Sequence, residues 1–260
     1  MNIAIGGLGI EVTSADAAFL DVLRGQYANF IDADTPGSIQ LGVDLVEEPD
    51  PAGSDEDVRV RMDAESWILT RGDFAARYDP ARQGVHVRQS PNRHSIDSVI
   101  RIVHTLALAR EHGFLLHSAS AIRNARAFLF AGRSGAGKTT LSASAPHDAC
   151  LLSDEVSYVR RCGGEFRCFG TPFTGELGTP GANRSAPVEA ICFLRQAPEN
   201  RLIPLEQPET LRLLMANILF FANEPELVRH VFDCAAEFVS RIRAFRLDFA
   251  PGDRVWELIQ

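Results

Sequence analysis

Apolar residues recur at helical spacing in two early segments of the chain. Within residues 14–30, Phe19, Leu20, Leu23 and Tyr27 form one stripe, behind Ser14 and Asp16 as capping candidates. Within 95–112, Val99, Ile102, Val103, Leu106 and Ala109 share a face, and Gly113 closes the segment. Between them, partial alternation over 39–46 predicts a strand, as do short runs at 58–62, 66–70, 74–78 and 85–88. Gly72 and Asp79-Pro80 punctuate these runs, and Pro91-Asn92 ends them. The acidic Pro- and Gly-containing stretch 47–57 predicts an exposed loop. Beyond Gly113, apolar runs at 114–117, 127–131, 150–153, 156–160, 166–169, 190–194 and 245–249 predict strands. Helices are expected at 138–145, 208–222 and 225–242. We place a domain boundary near residue 92. Residues 1–92 then form a small α+β module, a candidate for substrate recognition, and 93–260 the part that carries chemistry.

Composition excludes several classes. The 260 residues carry a net charge of −8, against what a cationic grip on nucleic acid requires. No apolar run approaches the ~20 residues that span a bilayer. The apolar, glycine-broken N-terminus does not read as a signal peptide. Five cysteines without a C-x-x-C pair argue against disulfides and zinc, and for a reducing cytoplasm. Of 26 basic residues only Lys138 is a lysine.

That lysine lies in Gly132-Arg133-Ser134-Gly135-Ala136-Gly137-Lys138-Thr139, which matches G-x-x-x-x-G-K-[ST] at every fixed position. An apolar strand runs into the loop and a short helix leaves it, stopping at Pro146. The glycines let several backbone N–H groups face one point, and the helix start adds partial positive charge. Lys138 would reach the β- and γ-phosphates. The Thr139 hydroxyl would bind Mg²⁺, with Thr140 beside it. An arginine fork is too wide and planar to replace the slim ammonium here.

Downstream, an apolar strand ends in Asp154-Glu155. A helix of ~8 residues is ~12 Å long and a four-residue strand ~13 Å. The chain can therefore return along a neighbouring strand and bring Asp154 near the loop. There it can hold Mg²⁺ or accept a hydroxyl proton. His117, at the end of its own predicted strand, is placed to orient that carboxylate if the strands are adjacent. The Gly- and Pro-rich segment 170–184 reads as a lid or substrate loop, offering Glu176 as a metal contact and Arg184 as a phosphate clamp.

In this order and at similar spacing, His117, the loop 132–139 and the Asp154-Glu155 pair resemble the catalytic domain of bacterial HPr kinase/phosphorylase. That domain is itself similar to the ATP-dependent phosphoenolpyruvate carboxykinase core. The resemblance covers roughly residues 113–195. It implies an α/β fold, a P-loop kinase core with the small N-terminal module in front of it. It also implies an ATP- and Mg²⁺-dependent serine kinase with Asp154 as acid/base, His117 its partner and Glu155 in support. Glu155 stands where the family has a second Asp. The family's E-x-R-G segment is not found, since Glu165-Phe166-Arg167 is followed by Cys168, and its late P-G-R-N stretch is absent. The chain thus resembles the diverged HPr-kinase-like set, some of which act on peptides in clusters that modify ribosomal peptides. The expected acceptor is a serine of a peptide or small protein. A small-molecule hydroxyl kinase and a non-catalytic ATP-dependent binding module are the alternatives. No nucleic acid or membrane partner is expected, and a homo-oligomer is compatible with the resemblance.

Overall fold

The computed structural model describes residues 1–46, 57–250 and 252–260. The expected acidic loop lies outside the described residues except for Asp57. The chain divides into two compact units, 1–107 with 220–228 and 108–219 with 229–260. The division thus falls between Ala107 and Leu108 rather than near residue 92, and a short later segment returns to the first unit.

The first unit is a seven-stranded sheet with two helices. Its strands are β1 (Asn2–Ile5), β2 (Leu8–Ser14), β3 (Gly37–Leu45), β4 (Arg59–Asp63), β5 (Ser66–Arg71), β6 (Phe74–Asp79) and β7 (Gly84–Gln89). The order is β1-β2-β3-β7-β6-β5-β4, with β2, β3 and β7 parallel and the other pairs antiparallel. The β1–β2 hairpin is what the glycine-broken N-terminus encodes: Gly6 and Gly7 take φ of +61° and +84°, as a tight two-residue turn requires. Helix α1 (Ala17–Gln26) is capped by Asp16, whose carboxylate accepts from the Phe19 N–H at 2.8 Å. Helix α2 (Arg93–Arg110) buries the predicted stripe of Val99, Ile102, Val103, Leu106 and Ala109.

The second unit holds β8 (Gly113–Arg123), β9 (Arg126–Ala131), α3 (Lys138–Ala143), β10 (Cys150–Ser153), β11 (Val156–Cys162), β12 (Glu165–Phe169) and β13 (Ser185–Gln196). It continues through β14 (Arg201–Pro204), α4 (Gln207–Met215), β15 (Ile218–Leu219), α5 (Pro225–Arg241), whose first turn belongs to the other unit, and β16 (Arg243–Phe249). The sheet order is β10-β8-β11-β12-β13-β16-β14, with β15 also on β8 and β9 between β8 and β13. At its centre β9, β13 and β16 run parallel.

Three expectations are corrected. The strand expected to stop at His117 runs on to Arg123. Its continuation Ser118-Ala119-Ser120-Ala121 carries no apolar signal because small side chains are packed here on both faces, all four at 1% exposure or less. The expected helix 208–222 ends at Met215, where the Asn217 amide donates to the Leu213 carbonyl and β15 begins. Finally, β10 pairs with β8 and not with β9, so the carboxylate reaches the loop across one intervening strand.

Two apolar clusters fill this unit. In one, Phe238 meets Phe114 and Phe166 edge-on at 5.5 and 5.1 Å. In the other, Trp256 meets Phe130 at 5.5 Å and donates its indole N–H to the Leu141 carbonyl, tying the C-terminus to α3. Such edge-on pairs contribute about 0.5–1.5 kcal/mol each beyond area burial. All five cysteines are free, and burial pushes the Cys168 and Cys192 thiols up to about 12, so neither is a ready nucleophile. Among the described residues, no helix is long and apolar enough to cross a membrane.

Candidate functional site

Strand β8 changes partners at one point, and the site forms there. Residues 113–117 pair with β11, and Leu115 and Leu116 pair with β15 on the other edge. From Ser118 onward the partners are β9 and β10. His117 is the last residue before the change. It lies opposite Val156, while Ser118 lies opposite Ala131, the last residue before the phosphate loop. The loop therefore leaves the sheet on one side of the fork, and the Asp154-Glu155 turn leaves on the other.

The loop lies at the carboxyl ends of the parallel strands, where α/β sheets bind ligands. Gly135 and Gly137 take φ of +76° and +104°, a region that side chains rarely tolerate. Gly137 caps α3 and leaves no room for a methyl group, since a Cβ there would stand 2.7 Å from Cε1 of Phe249, at the end of β16. From the end of β13, Gln196 donates to the Gly135 carbonyl at 2.6 Å. The Lys138 ammonium donates to the loop's own carbonyls, Gly132 at 3.0 Å and Arg133 at 3.4 Å. Burial pushes its pKa down, and the Glu155 and Glu176 carboxylates pull it partly back.

Asp154 is 6% exposed and held on both oxygens. Gly175 N–H donates to Oδ1 at 2.9 Å and Leu177 N–H to Oδ2 at 3.1 Å. A carboxylate offers about four lone-pair sites, so it keeps capacity for a ligand proton. The sharp turn that presents it is capped by Ser153, whose hydroxyl accepts from the backbone N–H of Glu155 and Val156. The segment expected to be a lid or substrate loop is tied to the sheet near both its ends, and its middle lines the site. Thr171 and Ala182 N–H groups bond Leu152 and Leu151 carbonyls, and the Thr171 hydroxyl bonds the Val156 carbonyl at 2.7 Å. Its glycines serve close packing: a Cβ on Gly181 would sit 1.7 Å from the Leu152 oxygen.

These groups surround a cavity of about 270 Å³. His117, Lys138, Thr139, Asp154, Glu155 and Glu176 all line it, together with Ser134, Gly135, Gly137, Thr140, Gly175 and Gln196. The structure thus brings most of the expected site residues together. Gly132, Arg133 and Ala136 instead line a second cavity on the other side of the loop. Arg184, the expected phosphate clamp, is exposed just before β13 and lines neither of these two cavities.

Charge decides what the first cavity can hold. One lysine faces three carboxylates, a set that repels a bare triphosphate. The Thr139 hydroxyl donates to Glu176 Oε2 at 3.1 Å, a pair of hard oxygens beside the loop. Among the described residues, no group of three or more His, Cys, Asp or Glu side chains is gathered to hold a metal. Mg²⁺ is commonly held by one or two protein oxygens together with phosphates, and this donor set fits that pattern.

Gln196, Phe249 and Gly175 escape the sequence reading. The first two lie at the ends of apolar strands far along the chain, and only the parallel pairing brings them to the loop. Gly175 carries a test. A Cβ there would stand 3.0 Å from Asp154 Oδ2 and 3.1 Å from Glu155 Cβ. Gly175→Ala should push the carboxylate aside and lower any phosphoryl transfer about tenfold, with a stability loss of about 1 kcal/mol. Single-turnover rates and urea melts check both numbers.

The sequence model of a family described as "SynChlorMet cassette protein ScmC" matches residues 89–260. No curated protein matches. A solved structure, the Hpr(Ser) kinase/phosphatase from Coxiella burnetii, is similar over 56% of this chain and 85% of its own, at 9% identity and a TM-score of 0.32.

Proposed function

We propose that this chain, which belongs to the ScmC family, is an ATP- and Mg²⁺-dependent kinase that phosphorylates a hydroxyl, with serine on a peptide or small protein as the leading acceptor. One observation carries the reading: a phosphate loop with its lysine and a buried, doubly anchored aspartate line the same cavity. The likeness of His117, the loop and the Asp154-Glu155 pair to HPr kinase supports the same chemistry.

Loop N–H groups and Lys138 hold the β- and γ-phosphates, and Lys138 stabilises charge on the transferring group. Its present carbonyl partners keep the ammonium at the loop until phosphate oxygens replace them. Thr139, Glu176 and Asp154 are the residues that would hold Mg²⁺, which when bound neutralises phosphate charge. Asp154 takes the acceptor's proton as the hydroxyl oxygen bonds the γ-phosphorus. The bond to the β–γ bridging oxygen breaks, and ADP leaves. His117 and Glu155 flank Asp154 in the cavity and set its orientation and field. The protein works in the cytoplasm on this reading.

Incubation with γ-labelled ATP, Mg²⁺ and peptides encoded beside its gene tests the proposal. Label on a peptide hydroxyl is the expected result. Tight ATP binding with no label on any peptide or metabolite would instead favour a non-catalytic binding module. A small-molecule acceptor is the second reading, favoured by the second cavity, of about 410 Å³, beside the loop. The metal assignment has its own check. Glu176→Gln should raise the Mg²⁺ concentration for half-maximal binding of an ATP analogue about tenfold, read by calorimetry.

A further inference from the structure

The second cavity has a volume of about 410 Å³, within the range of roughly 300–1,000 Å³ that small-ligand sites occupy. It shares His117 and Ser134 with the first cavity, so the two abut at the fork of β8. One part of its wall is apolar, made by Phe193, Leu213, Ile218 and Leu219. The rest includes Arg133 from the loop, Arg212 from the last turn of α4, and Asn217. Asn217 is itself fixed, since its carbonyl accepts from the His117 N–H at 2.8 Å and its amide caps α4.

The charge of this cavity is opposite to that of its neighbour. Among the described residues, no Asp or Glu lines it, in a chain whose net charge is −8. Elsewhere in the same unit, Arg123, Arg160, Arg161, Arg195 and Arg243 are each paired with a carboxylate. Among the described residues, Arg133 and Arg212 make no ion pair with a carboxylate, as is also true of Arg110, Arg184 and Arg229 in this unit, but only Arg133 and Arg212 line this cavity. Two exposed arginines that line an apolar-walled cavity suit a ligand with an anionic group on a hydrocarbon body.

We propose that this cavity seats the phosphate acceptor, with a carboxylate of the acceptor between Arg133 and Arg212 and its apolar part on the Phe193–Leu213 wall. The proposal rests on the kinase reading above. A neutral nucleobase would leave both arginines unmatched, whereas an anionic acceptor satisfies them. The shared His117 edge lets the acceptor's hydroxyl extend into the first cavity, where Asp154 stands.

Calorimetry on the full chain, loaded with Mg²⁺ and a non-hydrolysable ATP analogue, tests this with two matched pairs. One pair is 3-phenyllactate and 3-phenyllactamide. The other is a leucine-flanked serine pentapeptide with a free C-terminal carboxylate and the same peptide amidated. In at least one pair the acid should bind at least tenfold more tightly than its amide, and the responding pair tells a free hydroxy acid from a peptide end. Arg212→Gln should abolish the preference and Arg212→Lys should keep part of it. Arg212 is exposed, so both variants should fold, and a melting curve verifies that. No preference for the acid in either pair, absence of binding included, overturns the assignment. So does displacement of the acid by adenosine. Transfer of label from γ-labelled ATP is scored separately: an acid preference that depends on Arg212, with no label on these probes or on any peptide or metabolite, would count against the kinase reading and retain the anion site.

Discussion

Asp154→Asn should lower phosphoryl transfer by about 10²–10⁴-fold, the usual contribution of a positioned base, while an ATP analogue binds within a few-fold of its native affinity. The substitution removes the proton acceptor and keeps the shape. It also has a structural side that must be measured. The amide oxygen can still accept from Gly175 N–H, but the amide nitrogen then confronts the Leu177 N–H, donor against donor. Losing a hydrogen bond to a buried charged group costs about 1–3 kcal/mol. The 175–177 segment should therefore loosen, visible as faster amide exchange at Leu177. Transfer at the native rate would mean that the proton goes elsewhere, and Glu155 would be the next residue to test.

Gly137→Ala should abolish nucleotide binding at millimolar ATP. Two effects combine. Holding alanine at φ +104° costs about 1–3 kcal/mol. Displacing the Phe249 ring, whose Cε1 and Cδ1 would stand 2.7 and 2.9 Å from the new carbon, costs a further 1–3 kcal/mol, roughly. The loop moves, and Lys138 follows as the next residue. A displacement of ~1 Å at such a site lowers function ~100-fold. The double variant Gly137→Ala, Phe249→Leu separates the effects: ring relief should restore part of the melting temperature and little of the binding. Native ATP affinity in Gly137→Ala would remove the loop from the mechanism.

The parts of the site legible in the sequence are those whose constraints are local. Gly135, Gly137 and Lys138 are legible because only particular residues suit a phosphate-binding turn. Asp154 is legible because helix and strand lengths limit how far the chain can travel before it returns. The route is not legible. Pairing partners depend on contacts between distant segments, so β10 beside β8 rather than β9 leaves no local mark. The continuation of β8 through Ser118 and Ser120 is hidden for a related reason: a strand packed on both faces by close neighbours selects small size rather than alternation. Gly170 and Gly181 look like loop residues because a close backbone approach and a flexible turn both select glycine. Arg133 belongs to the loop's motif, yet it lines the second cavity and not the first. Peptide spacing says nothing about that choice.

The fork of β8 also orders the assembly of the molecule. Its distal half is closed to β9 by the two-residue turn Asn124-Ala125, with φ of +51° and +59°, a contact that needs almost no chain closure. Its proximal half meets β15, about a hundred residues later, across a far larger loop. The hairpin that carries the phosphate loop is therefore available early during synthesis and refolding. The wall beside β15 is built late, once α4 has been made and docked. The hairpin thus precedes both its supports: Gln196 and Phe249, which hold the loop, come from β13 and β16, so the nucleotide half of the site is completed only when the last strand is in place.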